Sequence, residues 1–335
     1  MQRDTKFKSD SCEFFAKKTP VFVFLLLMVM LAFPFISMAN SSSVAPPVVV
    51  GNETELLNAL NEAPNKKSCV IGISENITLK NTLEIPKSKN IALIMSDSAS
   101  IFVSLVGVDG ADTIVVKSGG TLTLESGVVV THVEGEIGRG VYVERKSTLI
   151  LSGGIISGNT VHNDGGGGVY NQGAFTMIGG KISNNTARDN SIYGDGGGVY
   201  NVGTFKMTDG VISGNNASGM GGGVYNCAEG IFVMYGGEIT RNNASYGGGL
   251  FYFSGTVKGS FTLSGGKISG NTDTNGGGQS RDLGVLCVDG PFFGVLYLLL
   301  IGLVIVGVVI VVGLFFYRSK SRKPLTVAKG GLPSL

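Results

Sequence analysis

The sequence predicts an all-β chain: a right-handed parallel β-helix (solenoid) with an N-terminal capping helix, followed by one C-terminal transmembrane α-helix. Three observations predict it. A short unit recurs, with its central isoleucine at 156, 182, 212, 239 and 268, so that the spacings are 26, 30, 27 and 29 residues. Glycine supplies 53 of the 335 residues, about twice the usual share of roughly 7%, and clusters between Gly119 and Gly278. Two long apolar segments bracket the repeats.

The repeats carry the fold. One unit reads Gly168-Val-Tyr-Asn171, Gly173-Ala-Phe-Thr-Met177, Gly179-Gly-Lys-Ile-Ser-Asn-Asn185. The next reads Gly198-Val-Tyr-Asn201, Gly203-Thr-Phe-Lys-Met207, Asp209-Gly-Val-Ile-Ser-Gly-Asn215, and a third runs from Gly223 to Asn242. Degenerate copies cover Gly140–Asn159 and Gly249–Asn271. Each unit has three short β-like pieces separated by Gly or Asn. Alternation puts Phe175 and Met177 on one face, and sets Ile182 opposite Lys181 and Ser183. Glycine suits the corners because positive φ costs it nothing. Asn159, Asn185, Asn215 and Asn271 are expected at turns, where Asn tolerates the left-handed region. Length variation falls in segments such as Thr186–Tyr193, expected as outward loops. A lone coil buries too few apolar side chains to offset the entropy of ordering it, so coils must stack. A β-propeller is excluded by unit length, because its blades need about 40–50 residues.

Ahead of the repeats, Asn52–Ala63 reads as an amphipathic helix with Leu56, Leu57 and Leu60 on its apolar face, Ala63 extending it and Asn52 or Thr54 as cap. Such a helix would cover the open end of the solenoid. Short alternating strands follow at Cys69–Ile73, Ile77–Leu79, Leu83–Ile85, Ile91–Ile94 and Thr121–Leu124.

The apolar segments set the topology. Val21–Met38 follows basic residues and runs into Ser37-Met38-Ala39, a small-x-small cleavage pattern before Asn40. It reads as a signal peptide, with an uncleaved signal anchor as the alternative. Phe292–Tyr317 is 26 residues without a charge, about 39 Å as a helix, which spans a bilayer with tilt. Aromatic residues sit at both its ends, and Arg318, Lys320, Arg322 and Lys323 follow at once. The positive-inside rule places that tail in the cytoplasm and the solenoid outside, at the cell membrane. The expected organisation is 1–39 signal peptide or anchor, 40–139 cap and first coils, 140–278 Gly-rich repeats, 279–291 final coil and stalk, 292–317 transmembrane helix and 318–335 basic tail.

Charge and cysteines narrow the function classes. The first 20 residues and the tail together hold ten basic and three acidic residues of the chain's 26 and 24, leaving 16 basic and 21 acidic between them. A mildly acidic body excludes a nucleic-acid partner. Cys12 would leave with a signal peptide. Cys69, Cys227 and Cys287 then form an odd set in an oxidising compartment. Cys69 and Cys287 lie near opposite ends of the body, too far apart for the roughly 7 Å limit on a disulfide's Cα atoms. With only His132 and His162 and no C-x-x-C, no zinc site is indicated.

With Gly-Gly-Val-Tyr-Asn, Phe-x-Met and Gly-Gly-x-Ile-Ser-Gly-Asn in hand, the chain resembles the pectate-lyase-like right-handed β-helix family over about Val48–Gly278. It is similar to the repeat-rich adhesin-like surface proteins of methanogenic archaea and many bacteria. Chlamydial polymorphic membrane proteins carry related Gly-Gly-Ala-Ile and Phe-x-x-Asn repeats, but the second motif does not recur here. The resemblance implies a β-helix at the cell surface and says little about activity. Lyases and hydrolases on this fold use clustered Asp with Arg or Lys, and glycosidases need paired carboxylates. Here Asp164, Asp189, Asp195 and Asp209 occupy non-equivalent repeat positions, and Arg188, Arg241 and Lys258 are scattered, so no catalytic residue is assigned.

Two sets of candidate residues remain. Tyr142, Tyr170, Tyr200 and Tyr225, continued by Phe251, fall at one repeat position. If Val169 and its equivalents point inward, these rings point outward as a ligand-facing ladder for a cell-surface glycan or protein. Asn52, Asn76, Asn184, Asn216 and Asn243, with Asn40, head N-x-S/T sequons and are candidate N-glycosylation sites. Asn216 and Asn243 are expected in equivalent, solvent-facing corners. No cofactor is expected, with bound calcium as the alternative. Asn163-Asp-Gly-Gly and Gly194-Asp-Gly-Gly are similar to calcium-binding Gly/Asp turns but do not match G-G-x-G-x-D-x-U-x. The expected function is a non-enzymatic, adhesin-like surface protein. The alternatives are a membrane-tethered polysaccharide lyase or hydrolase and a passive envelope protein.

Overall fold

Short runs of alternating side chains, cut by Gly and Asn every few residues, cannot extend into long strands and instead wind. The computed structural model describes residues 46–99, 101–189, 194–254, 260–275 and 285–289. They form a right-handed parallel β-solenoid of about eight turns. The apolar segments at 21–38 and 292–317, the basic tail, Cys12, Asn40 and Lys258 lie outside the described residues. No helix among the described residues is long and apolar enough to cross a membrane.

Three parallel sheets build the solenoid, with 15, eight and five strands, the smallest beginning at Thr160. One coil shows how. Val169–Asn171 adds to the eight-stranded sheet, Ala174–Ser183 to the large sheet and Thr186–Arg188 to the small sheet. The next coil pairs residue for equivalent residue: Tyr170 with Tyr200, Phe175 with Phe205, Met177 with Met207, Ile182 with Ile212 and Thr186 with Asn216. Register thus places like on like. The core rings of Phe175, Phe205 and Phe232 stack at 4.6 Å between centroids, close to the strand spacing of about 4.8 Å that the ladder imposes. Phe, Met, Ile and Val columns fill one continuous buried core.

The ten-residue strand Ala174–Ser183 is one strand only by hydrogen bonding. Its register to the next coil shifts on both sides of Ile178, and Gly180 takes φ +80° against the Gly154 carbonyl. The bulge folds the large sheet into two arms, one carrying Phe and Met and the other Ile.

Four local expectations change. The left-handed corner is held by Gly158, Asn184, Gly214, Arg241 and Gly270, with φ of 71°, 56°, 68°, 55° and 64°. The Asn one residue later (Asn159, Asn185, Asn215, Asn242, Asn271) is buried instead. Beyond Ile182 the chain is already turning, so Ser183 is buried with it rather than facing out, as are Ser213 and Thr240. Thr186–Arg188 is a strand, not a loop, and its Ala187 faces inward. In the helix Glu53–Glu62, Ala59 joins Leu56 and Leu60 in the core while Leu57 is 42% exposed. Successive helical residues diverge by about 100°, so Leu56 and Leu57 cannot share a narrow seam. Asn52 is the N-cap, its Oδ1 accepting from Glu55 N–H at 3.0 Å.

The buried asparagines form a ladder. Asn159 Nδ2 donates to Asn185 Oδ1 at 2.9 Å, Asn185 to Asn215 at 3.0 Å, Asn215 to Asn242 at 2.9 Å and Asn242 to Asn271 at 3.0 Å. Each Oδ1 also accepts the backbone N–H of the preceding rung. At the first rung, His132 Nδ1 lies 2.9 Å from Asn159 Oδ1. A second ladder joins Asn171, Asn201 and Asn226 at 2.7 Å per step. An amide both donates and accepts along the stacking axis, which is why it can be buried in every coil without leaving an orphan.

Candidate functional site

Strand alternation builds the outer strip. In Val169–Asn171 the valine and asparagine are buried and Tyr170 is half-buried on the outer side, and Val199–Asn201 repeats the pattern. The glycine run before each strand fixes it closely. A Cβ at Gly196, where φ is +66°, would sit 2.9 Å from Tyr200 Cα, so only glycine permits the approach.

The rings follow one another closely, stacked at each step except Tyr200–Tyr225, where they are tilted by 35°. Centroids are 5.3 Å apart for Tyr142–Tyr170, 4.9 Å for Tyr170–Tyr200, 4.8 Å for Tyr200–Tyr225 and 5.6 Å for Tyr225–Phe251. The rings form one column whose exposure is graded. Tyr142, Tyr170 and Tyr200 are half-buried, whereas Tyr225 is 7% and Phe251 2% exposed. Stacking also uses the ring faces, so the open end of the strip offers ring edges and phenol oxygens. Burial raises the pKa of all four phenols. They are neutral at physiological pH, able to donate as well as accept.

Arg139, which the repeat pattern does not single out, clasps the open end. Its Nε donates to Gly165 O at 3.0 Å, Nη1 to Asp112 Oδ1 at 3.2 Å and Nη2 to Asp164. The guanidinium carbon stands 5.9 Å from the Tyr142 ring centroid and 5.2 Å from that of Tyr170. Burial works to lower the Arg139 pKa, and the carboxylates of Asp112 and Asp164 outweigh it and raise the value. The sequence signal for this clasp is the coil-length spacing of Asp112, Arg139 and Asp164, 27 and 25 residues.

Of the other acids, Asp189 and Asp195 are close enough to act on each other's charge. Asp209 is exposed, and its Oδ1 accepts its neighbour Gly210 N–H at 2.7 Å. Asp189 N–H donates to Ser218 Oγ at 2.8 Å. Arg188 is exposed in the small sheet beside His162, and Arg241 holds a corner. Among the described residues no group of three His, Cys, Asp or Glu side chains could hold a metal ion. Cys69 and Cys227 are free thiols. The sequon residues Asn52, Asn76 and Asn184 are exposed. Asn216 and Asn243 are not solvent-facing corners. They pair in register in the small sheet, half-buried, with Asn243 Nδ2 donating to Asn216 Oδ1 at 2.8 Å.

Asp195 is the acid whose setting matters most. It is 9% exposed, and its Oδ1 accepts Met220 N–H at 2.7 Å. Burial pushes its pKa up to about 6 from an ordinary 3.8; the Met220 bond opposes this and Asp189 adds to it. The native state thus holds this proton more tightly than the unfolded chain. The stability contributed by this group is greatest below about pH 4, falls as pH rises to about 6, and stays lower above it. Asp195→Asn keeps an acceptor for Met220 and removes the fall. Denaturant midpoints at pH 4 and pH 7 should show the variant about 1 kcal/mol more stable at pH 7, after allowance for screening, and little changed at pH 4.

Comparison of the chain with family models, curated proteins and solved structures found no match.

Proposed function

We propose that this chain is a non-enzymatic, adhesin-like cell-surface β-helix, held at the membrane by its C-terminal span and presenting its tyrosine sheet to a glycan or protein partner. The helix Glu53–Glu62 closes the first coil in this reading. The observation that carries it is the half-exposed run of Tyr142, Tyr170 and Tyr200 at the coil spacing, with Arg139 bound across its open end. A rigid solenoid presents such a strip with little entropic cost on binding. Because the ring faces are stacked, recognition falls to the ring edges and neutral hydroxyls, which suit the hydroxyls of a sugar or the backbone of a protein partner.

A tethered polysaccharide lyase or hydrolase is the second reading. The place that favours it is Asp112–Arg139–Asp164, two carboxylates around one guanidinium. Both acids are bonded to Arg139 and the guanidinium is turned onto tyrosine rings, an arrangement suited to clasping coils.

The test uses the full chain in membrane vesicles against a glycan array and surface-protein extracts. Replacing Tyr142, Tyr170 and Tyr200 together by Phe preserves the stack and removes the hydroxyls. Binding by the native chain should fall at least about tenfold in this variant, the equivalent of about 1.4 kcal/mol. Undiminished binding would overturn the tyrosine strip as the contact surface. Lyase or hydrolase turnover of an array polysaccharide would favour the second reading.

A further inference from the structure

The sequence offers five sequons within the described residues, and the structure divides them by exposure and by the contacts of each side chain. Asn52 is exposed at the helix N-cap, and its side chain works through oxygen: Oδ1 accepts from Glu55 N–H at 3.0 Å. Asn76 is exposed beside the first strand of the Ile arm, and its Oδ1 accepts from Ser104 N–H at 2.8 Å. Asn184 is exposed in a left-handed corner with φ of 56°. Its Oδ1 rests over the next corner glycine, 2.6 Å from where a Cβ on Gly214 would be. In Asn52 and Asn76 the oxygen is committed to the fold, which is the half of the amide that an N-linked sugar leaves in place, and Asn184 is exposed at its corner.

Asn216 and Asn243 are built differently. Both are half-buried strand residues, and Asn243 commits its nitrogen, donating to Asn216 Oδ1 at 2.8 Å. The glycine run of the same coil packs onto this strand: a Cβ at Gly222 would lie 2.7 Å from the Asn243 carbonyl carbon. A sugar on either side chain would have to open that column.

We propose that the folded protein carries asparagine-linked oligosaccharide on Asn52, Asn76 and Asn184 and none on Asn216 or Asn243. In the transfer, the anomeric carbon of a lipid-pyrophosphate-linked oligosaccharide bonds to Nδ2. Nδ2 loses one proton, and the lipid pyrophosphate leaves with the electron pair of its bond to the sugar. Oδ1 stays an acceptor, so the Glu55 and Ser104 bonds survive modification. Asn76 and Asn184 flank the Ile arm of the large sheet, in the first and fifth of its coils. At about 4.8 Å per coil they stand roughly 19 Å apart along the axis. The tyrosines belong to a different sheet, so these glycans would coat one side of the solenoid and leave the tyrosine sheet bare.

This inference rests on the extracellular placement proposed above, and the experiment separates the two. The full chain, with Asn40→Gln to remove the sequon outside the described residues, is translated into translocation-competent microsomes. Protease protection reports placement. Glycan number is then read on the fraction that stays protease-resistant after detergent solubilisation, that is, on folded molecules. Three glycan-sized mass steps are expected, one lost in each of Asn52→Gln, Asn76→Gln and Asn184→Gln, with Asn216→Gln and Asn243→Gln unchanged. Thr78→Ala, which spares the Asn76 bond to Ser104, should remove the same step as Asn76→Gln. A step lost in Asn243→Gln or Asn216→Gln overturns the proposal, as does an unmodified Asn52, Asn76 or Asn184 in a protected chain. A solenoid digested in intact microsomes overturns both the proposal and the placement.

Discussion

Asn215→Ala should destabilise the solenoid by about 3–6 kcal/mol and split its unfolding into two transitions. The side chain is fully buried and holds four bonds. Its Oδ1 accepts Asn185 N–H and Asn185 Nδ2, both at 3.0 Å, and its Nδ2 donates to Ile182 O at 3.0 Å and Asn242 Oδ1 at 2.9 Å. Alanine orphans two donors of Asn185 in the buried core. Each orphan costs about 1–3 kcal/mol, beyond the packing lost to the cavity. Coils touch only their neighbours, so a weak interface in mid-stack divides the molecule into two folding blocks. Denaturant titration followed by circular dichroism would show two steps in place of one. Asn215→Asp separates acceptance from donation. It keeps both acceptor roles yet sets a carboxylate against Asn242 Oδ1, so its loss should shrink as pH falls and the acid becomes a donor again. A single transition with an unchanged midpoint in Asn215→Ala would show that the ladder contributes little.

Gly198→Ala should cost about 3 kcal/mol or more, although the change adds one methyl group. Its Cβ would lie 2.5 Å from Gly223 O, 3.0 Å from Asn215 Nδ2 and 3.1 Å from Asn215 Cγ. Backbone of the next coil and a fixed amide surround it, so nothing flexible can give way. Gly168 and Gly223 hold the same position one coil away on either side, with contacts of 2.6 and 2.5 Å to the following carbonyl. Gly110→Ala is the contrast, since φ there is +80° and a Cβ would meet nothing within 4 Å. Its cost is the local strain of a left-handed alanine, about 1 kcal/mol. Thermal midpoints of the two variants, measured side by side, distinguish steric exclusion between coils from a simple conformational preference.

The columns were legible in the sequence because identical residues at equivalent positions specify both face and register. Phe175, Met177, Ile182 and Tyr170 each reappear one coil on, and the structure pairs each with its copy. The small sheet was not legible. Thr186-Ala-Arg, Asn216-Ala-Ser and Asn243-Ala-Ser offer one small apolar residue each, and a run that polar reads as a loop. Ala187, Ala217 and Ala244 nevertheless face inward, in register with the buried Val161 of the coil before them. The asparagines misled for a related reason. Single-residue reasoning assigns Asn to turns, while its capacity to bond a copy of itself appears only once coils are stacked. Arg139 has no repeat position, and what identifies it is the pair of acids one coil away on each side. Alternation sets the tyrosine position opposite the inward valines, but it carries no information on why Tyr142, Tyr170 and Tyr200 are half-buried while Tyr225 and Phe251 are buried.

The asparagine ladder makes the number of coils an adjustable quantity. Every rung presents a donor forward and an acceptor backward, in the same orientation, so the top of one coil already matches the bottom of any other. A duplicated segment of one repeat, inserted between two existing coils, would meet on both sides the amide it needs, with Phe on Phe and Ile on Ile. Each such duplication lengthens the rod by about 4.8 Å without a new core to devise. Unequal recombination among near-identical repeats can therefore tune the reach of the molecule in single-coil increments. Selection on that reach would act on gene length before it acted on any particular side chain.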